Sequence, residues 1–140
     1  MKNRQTKGVV ALSVTLLLGA IIVEIGAIGV LLAYALNSAN YGARLAAEAL
    51  SAARAGVSDA MLRLIRNKGF VADPAYVLSV GSRVADVRVC NNEYPCGTPV
   101  IGKAQITSIG KAFPKSITVE AVVDIAPVTG EIRLVSIKEL

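Results

Sequence analysis

The pattern of apolar and polar positions divides the chain into three regimes. Residues 9–36 read VVALSVTLLLGAIIVEIGAIGVLLAYAL, apolar nearly throughout, with Glu24 as the only strongly polar side chain. A core strand is never this long, and a helix needs about 20 apolar residues to cross a bilayer. At 1.5 Å per residue the run spans roughly 42 Å, about 12 Å more than the hydrocarbon core. Past Asn37, Ser38, Asn40 and Gly42 the period becomes that of an amphipathic helix. Ala46, Leu50, Ala53, Val57, Met61 and Leu64 recur at steps of three and four, which places them on one face. Arg44, Glu48, Ser51, Ser58, Asp59, Arg63 and Arg66 take the other. No proline interrupts residues 6–67, so one helix is predicted, stopping at Lys68-Gly69. The alternative is two helices with a break at residues 37–42.

From Gly69 the period shortens to two. Alternation predicts strands at residues 76–80, 85–89, 104–110, 116–125 and 131–138, with Pro74 and Pro114 as connections. In the third of these, Ile106 and Ile109 fall out of register, which predicts a bulge. Five short strands in chain order make an antiparallel meander. One face of such a sheet needs an apolar cover, and the stripe at residues 46–64 is the candidate. The expected fold class is therefore α+β: a long N-terminal helix, apolar then amphipathic, packed by its C-terminal half on a small antiparallel sheet. Its N-terminal half is expected to project from the head.

Charge and composition change this picture little. The net charge is +5, but Lys2, Arg4 and Lys7 precede the apolar run. Basic residues there hold the N-terminus in the cytoplasm and predict an extracytoplasmic C-terminus. The remaining cations are scattered and lack interleaved aromatics, so no specific nucleic-acid binding is expected. The chain has no His and only two Cys, which leaves no ligand set for a metal. No glycine-rich phosphate loop and no acid–base constellation is present, so neither an enzyme nor a cofactor is expected. Cys90 and Cys96 bracket a short loop. Outside the cytoplasm a disulfide is the leading reading, with two reduced thiols as the alternative.

A short basic leader ending Lys7-Gly8, the long apolar helix, the stretch AAEALSAARAGVSDAMLRLIRN at residues 46–67 and a small sheet together resemble a type IV pilin. More narrowly they resemble minor pilins of the PilX-like group. The likeness covers the first half of the chain well, and the second half in architecture and cysteine placement. It implies a leader at residues 1–8, a membrane and filament-core helix at 9–36, an amphipathic continuation at 37–68 and a β head at 69–140. It also implies cleavage between Gly8 and Val9 by a prepilin peptidase. The apolar helix would lie in the inner membrane before assembly and bundle with other pilin subunits in a cell-surface filament afterwards. The family's fifth mature residue is usually Glu, whereas cleavage after Gly8 puts Ser13 there. Cleavage after Gly19 would put Glu24 fifth, but behind a leader carrying ten apolar residues. Some tip-type minor pilins and pseudopilins lack that Glu, and an uncleaved single-pass protein with an extracytoplasmic β domain also fits.

Glu24 itself supports two readings. A charged carboxylate at mid-bilayer costs at least about 2.5–3.5 kcal/mol, which makes it a functional candidate. In one reading it pairs with a cation of a neighbouring subunit, such as an N-terminal amine, and sets axial register. In the other it is protonated, or the true span is shifted so that it sits near an interface.

Overall fold

The structure is a computed structural model that describes residues 12–140 in full and residues 5–11 as helical backbone only. Lys2 and Arg4 lie outside the described residues, as do the side chains of Lys7 and Val9. One helix, α1 (Gln5–Arg66), precedes five strands: β1 (Ala72–Val80), β2 (Arg83–Glu93), β3 (Pro99–Ala112), β4 (Lys115–Ile125) and β5 (Ile132–Glu139). The strands pair antiparallel in sheet order β1-β2-β3-β4-β5. This is an α+β fold consistent with a pilin-like arrangement. The helix continues without interruption through residues 37–42, as the lack of proline predicts. Arg63 and Arg66 lie in its last turn, where positive charge favours the helix dipole.

The chain divides between Tyr41 and Gly42 into two compact units. In the first, every described side chain, residues 12–41, is exposed. In the second, the rest of α1 covers one face of the sheet. Val87, Val89, Ile106, Val119 and Val123 are fully buried on that face, opposite Leu64 of the helix.

The buried stripe of the helix is Leu45, Ala49, Ala52, Ala53, Val57, Ala60 and Leu64. This differs from the predicted stripe. Ala46, Leu50 and Met61 are only half-buried and flank the contact. Leu50 and Met61 line its edge, and the closest approach to the sheet falls at Ala49, Ala53 and Gly56. A Cβ on Gly110 of β3 would overlap the Ala49 carbonyl oxygen and lie 2.5 Å from Ala53 N. A Cβ on Gly56 would overlap Ser108 Oγ and lie 2.7 Å from Val87 Cγ2. Helix and sheet thus approach backbone to backbone, which only residues without bulk allow.

The same approach explains the predicted bulge, which is absent. β3 pairs with β4 from Lys103 to Ala112 without a shift. Ala104, Ile106, Ser108, Gly110 and Ala112 face the helix, while Ile109 lies on the opposite face beside Asp86 and Thr118. Small and polar residues occupy the inward positions under the closest helix contact, so the apolar alternation breaks while the backbone does not. Real irregularities lie elsewhere, at Ala72/Tyr76, Asn91/Glu93 and Val122/Val123. Pro74 lies inside β1 rather than in a connection. An edge strand tolerates a residue without an N–H, and β1 is an edge.

Candidate functional site

Two surfaces carry the candidate residues. The first is the apolar part of α1. Every Leu, Ile and Val among residues 12–36 is at least 43% exposed within the chain. The segment is long and apolar enough to cross a membrane, with a mean hydropathy of 2.6 over its most apolar window. Burying a single Leu, Ile or Val stabilises by about 1.5–3 kcal/mol. A surface of this extent therefore demands an apolar environment, and a membrane anchor is what the helix supports directly. Glu24 is exposed on this surface, and among the described residues it is in no ion pair. Gly19, Gly26 and Gly29 have no atom within 4 Å of where a Cβ would stand. They leave three flat places where another helix can come close. The predicted cleavage pair, Gly8 and Val9, lies outside the residues whose side chains are described.

The second surface is the cystine loop. Cys90 and Cys96 form a disulfide, with Cα atoms 5.5 Å apart. Cys90 sits on the sheet face away from the helix, in register with Gln105, which in turn pairs with Val122. The loop folds back over these residues. Cys96 N donates to Gln105 Oε1 at 2.7 Å, and Gly97 N donates to Glu93 Oε2 at 2.7 Å. Tyr94 N donates to Thr98 O, and Thr98 N to Pro95 O, both at 2.9 Å. Val122 and Cys90 are buried beneath this cover, and Gln105 nearly so. The sheet therefore has a second, small apolar patch that the sequence pattern did not reveal. Val122 occupies what period two reads as a solvent position.

Among the polar ties between helix and strands, three clusters stand out. Glu48 lies one helical turn after Arg44. It accepts from Arg44 Nε at 2.9 Å, and from Arg83 Nε and Nη2 at 2.9 and 2.5 Å at the β1–β2 turn. The hydrogen bonds from Arg83 first, then Arg44, hold its pKa below the usual glutamate value against some desolvation. Asp59 Oδ2 accepts from Arg63 Nε at 2.8 Å and from the Tyr76 hydroxyl at 2.6 Å. Burial opposes ionisation of Asp59. The hydrogen bonds from Tyr76 and Arg63, with the charges of Arg63 and Arg66, outweigh it and lower the pKa. Burial and the bond to Asp59 push the Tyr76 phenol the other way, above its usual value. The Arg63 guanidinium also lies 4.4 Å from the Tyr76 ring centroid, so one arginine serves both charge and ring. Third, Asn91 Nδ2 donates to Lys68 O at 2.6 Å and Phe70 O at 3.2 Å, fastening the exit from α1 to β2. These partners lie 15 or more residues apart, beyond the reach of a helical or strand period.

Comparison of the chain with family models, with curated proteins and with solved structures finds no match.

Proposed function

We propose that the chain is a structural subunit of a type IV pilus or a related filament, of the minor-pilin kind. One observation supports this most: a continuous helix presents an entirely exposed aliphatic surface over residues 12–36 and then becomes the cover of a folded sheet. In this reading the apolar segment resides in the inner membrane, N-terminus cytoplasmic, until a prepilin peptidase cuts between Gly8 and Val9. It then exchanges lipid for the helices of other pilin subunits in a surface filament. The head stays extracytoplasmic throughout, and the role is structural rather than catalytic. The resident disulfide fits an oxidising compartment.

Intact mass and N-terminal sequencing of protein sheared from the cell surface test this directly. A mature chain beginning at Val9 in sheared filaments is the expected result. Full-length protein confined to the membrane fraction refutes it. That outcome belongs to the second reading, an uncleaved single-pass anchor carrying an extracytoplasmic β domain. Ser13 favours that reading, because it stands where the resemblance calls for Glu.

A further inference from the structure

At the end of the head where β3 begins and the β4–β5 turn closes lies an open cleft of about 440 Å³. A smaller cavity of about 180 Å³ adjoins it and shares Ile101, Gly102, Ile125, Ala126 and Pro127. The larger volume is within the range of small-molecule sites.

The polar groups of this cleft are unusual for a surface. Lys103, Asp124 and Arg133 are direct cross-strand neighbours on β3, β4 and β5 and all line it, with Glu131. Charges so placed ordinarily pair. Among the described residues, none of these four is in an ion pair. Asp124 Oδ1 is buried without a hydrogen-bond partner. In the adjoining cavity Asn91 Oδ1 is also buried and unpartnered. Its amide orientation is fixed by two carbonyls that take the Nδ2 protons, so the orphan is an acceptor. Two buried acceptors that find no donor among the described residues each carry a desolvation cost. Lys68 reaches from the end of α1 to Gly130 at the rim, which makes the surroundings of the two cavities net positive.

We propose that this cleft binds an acidic saccharide. The chemistry required is a ligand with hydroxyl groups and one carboxylate. A hydroxyl donates to Asp124 Oδ1, and the carboxylate accepts from Lys103 and Arg133. Tyr94 stands beside the cleft with its ring 5.6 Å from Lys103 Nζ, and supplies an apolar face for a sugar ring. A nucleic-acid backbone fits less well. It offers anions without enough donors, and Asp124 and Glu131 repel it. The proposal does not depend on filament assembly, so cleavage and binding can fail separately.

The test uses the full chain in detergent micelles and calorimetric titration. The probes are trigalacturonate, N-acetylneuraminate, neutral maltotriose and a single-stranded oligonucleotide. One of the two acids binds with Kd below about 1 mM, and maltotriose at least about tenfold more weakly. Lys103→Ala and Arg133→Ala each weaken the acid by about tenfold or more, while Lys138→Ala, outside the cleft, leaves it unchanged. Asp124→Ala separates the chemistries: it weakens a sugar that donates to the carboxylate and strengthens a bare anion. Unaltered tyrosine near-ultraviolet dichroism verifies the fold of each variant. Four results overturn the proposal. These are no response to either acid at about 10 mM, equal binding by the cleft variants and wild type, tighter binding by Asp124→Ala, and an oligonucleotide that binds as tightly as the acids.

Discussion

Replacing Gly110 by alanine tests whether backbone contact sets the distance between α1 and the sheet. The new Cβ would overlap the Ala49 carbonyl oxygen and stand 2.5 Å from Ala53 N and 3.0 Å from Ala49 C. All three are backbone atoms of a helix, so no rotamer change relieves the clash. Ordinary contact begins near 3.4 Å, so the helix must withdraw by about 1.5 Å to clear the Ala49 carbonyl oxygen. A gap of 0.5–1 Å already forfeits about a quarter to a half of each dispersion contact along the stripe. Overpacking costs about 1–3 kcal/mol, and three immovable backbone atoms place Gly110→Ala near 3. For a head of about 100 residues each kcal/mol moves Tm by about 4–8 °C, so a fall of about 12–24 °C is expected. Thermal unfolding of the full chain in micelles, followed by tyrosine near-ultraviolet dichroism, reads it out. Gly42→Ala is the control. It lies in α1, on the other side of the contact, and has no atom within 4 Å of its Cβ position, so it should gain about 0.5–1 kcal/mol from helix propensity. If Gly110→Ala melts with the wild type, the close-contact argument is wrong.

Other expectations follow from the same structure. Gly56→Ala should cost about 1–3 kcal/mol, and Ser108→Ala, which removes a buried unpartnered hydroxyl, should cost little. Because that hydroxyl is one of the obstacles, the double variant should recover part of the loss; strict additivity in denaturant titrations would refute the contact. Glu48 and Asp59 have lowered pKa values in the fold, so each stabilises fully above its unfolded value. That contribution is lost as pH falls below about 4.5 and then 3.8, the ordinary values, towards the lowered ones. Glu48→Gln should flatten this acid limb, and an unchanged pH–stability curve would refute the Arg83 contact as its source. Tyr76 carries the opposite sign: its raised pKa means stability is lost as pH climbs above about 10. Replacing both Cys90 and Cys96 by alanine should cost about 2 kcal/mol from loop entropy alone. It should also speed amide exchange at Cys96, whose N–H is held by Gln105. Equal exchange in both forms would show that the loop closes without the bond. For Glu24→Ala, lost or misregistered assembly is expected if the carboxylate pairs between subunits; normal filaments would remove it from that role.

Local periodicity carried most of the architecture. One helix, five strands and their meander order are legible, because each follows from spacing within a few residues. Ala53, Val57 and Leu64 of the predicted stripe are buried, whereas Ala46, Leu50 and Met61 stand one position from buried Leu45, Ala49 and Ala60, because the usual rule weights large side chains. At this contact Ala49, Ala53, Gly56 and Gly110 carry the packing through their lack of size. The same inversion produced the bulge that β3 does not have. Arg83, Tyr76, Asn91 and Gln105 were invisible as partners of Glu48, Asp59, Lys68 and Cys96. Each joins elements whose register no single sequence specifies. The apolar run and Glu24 were evident at once, since bilayer-length hydrophobicity needs no tertiary context.

The close contact along α1 also has a mechanical side. Leu45 and Ala49 pack with Ala112, and Gly56 packs at Ser108, so the helix runs along β3 in the opposite chain sense. A pull along the helix axis therefore shears the interface rather than peeling it. All the interlocked positions, with the Arg83–Glu48 and Tyr76–Asp59 ties, share the load at once. A load applied along this part of α1 would meet the sheet in the direction where it grips best.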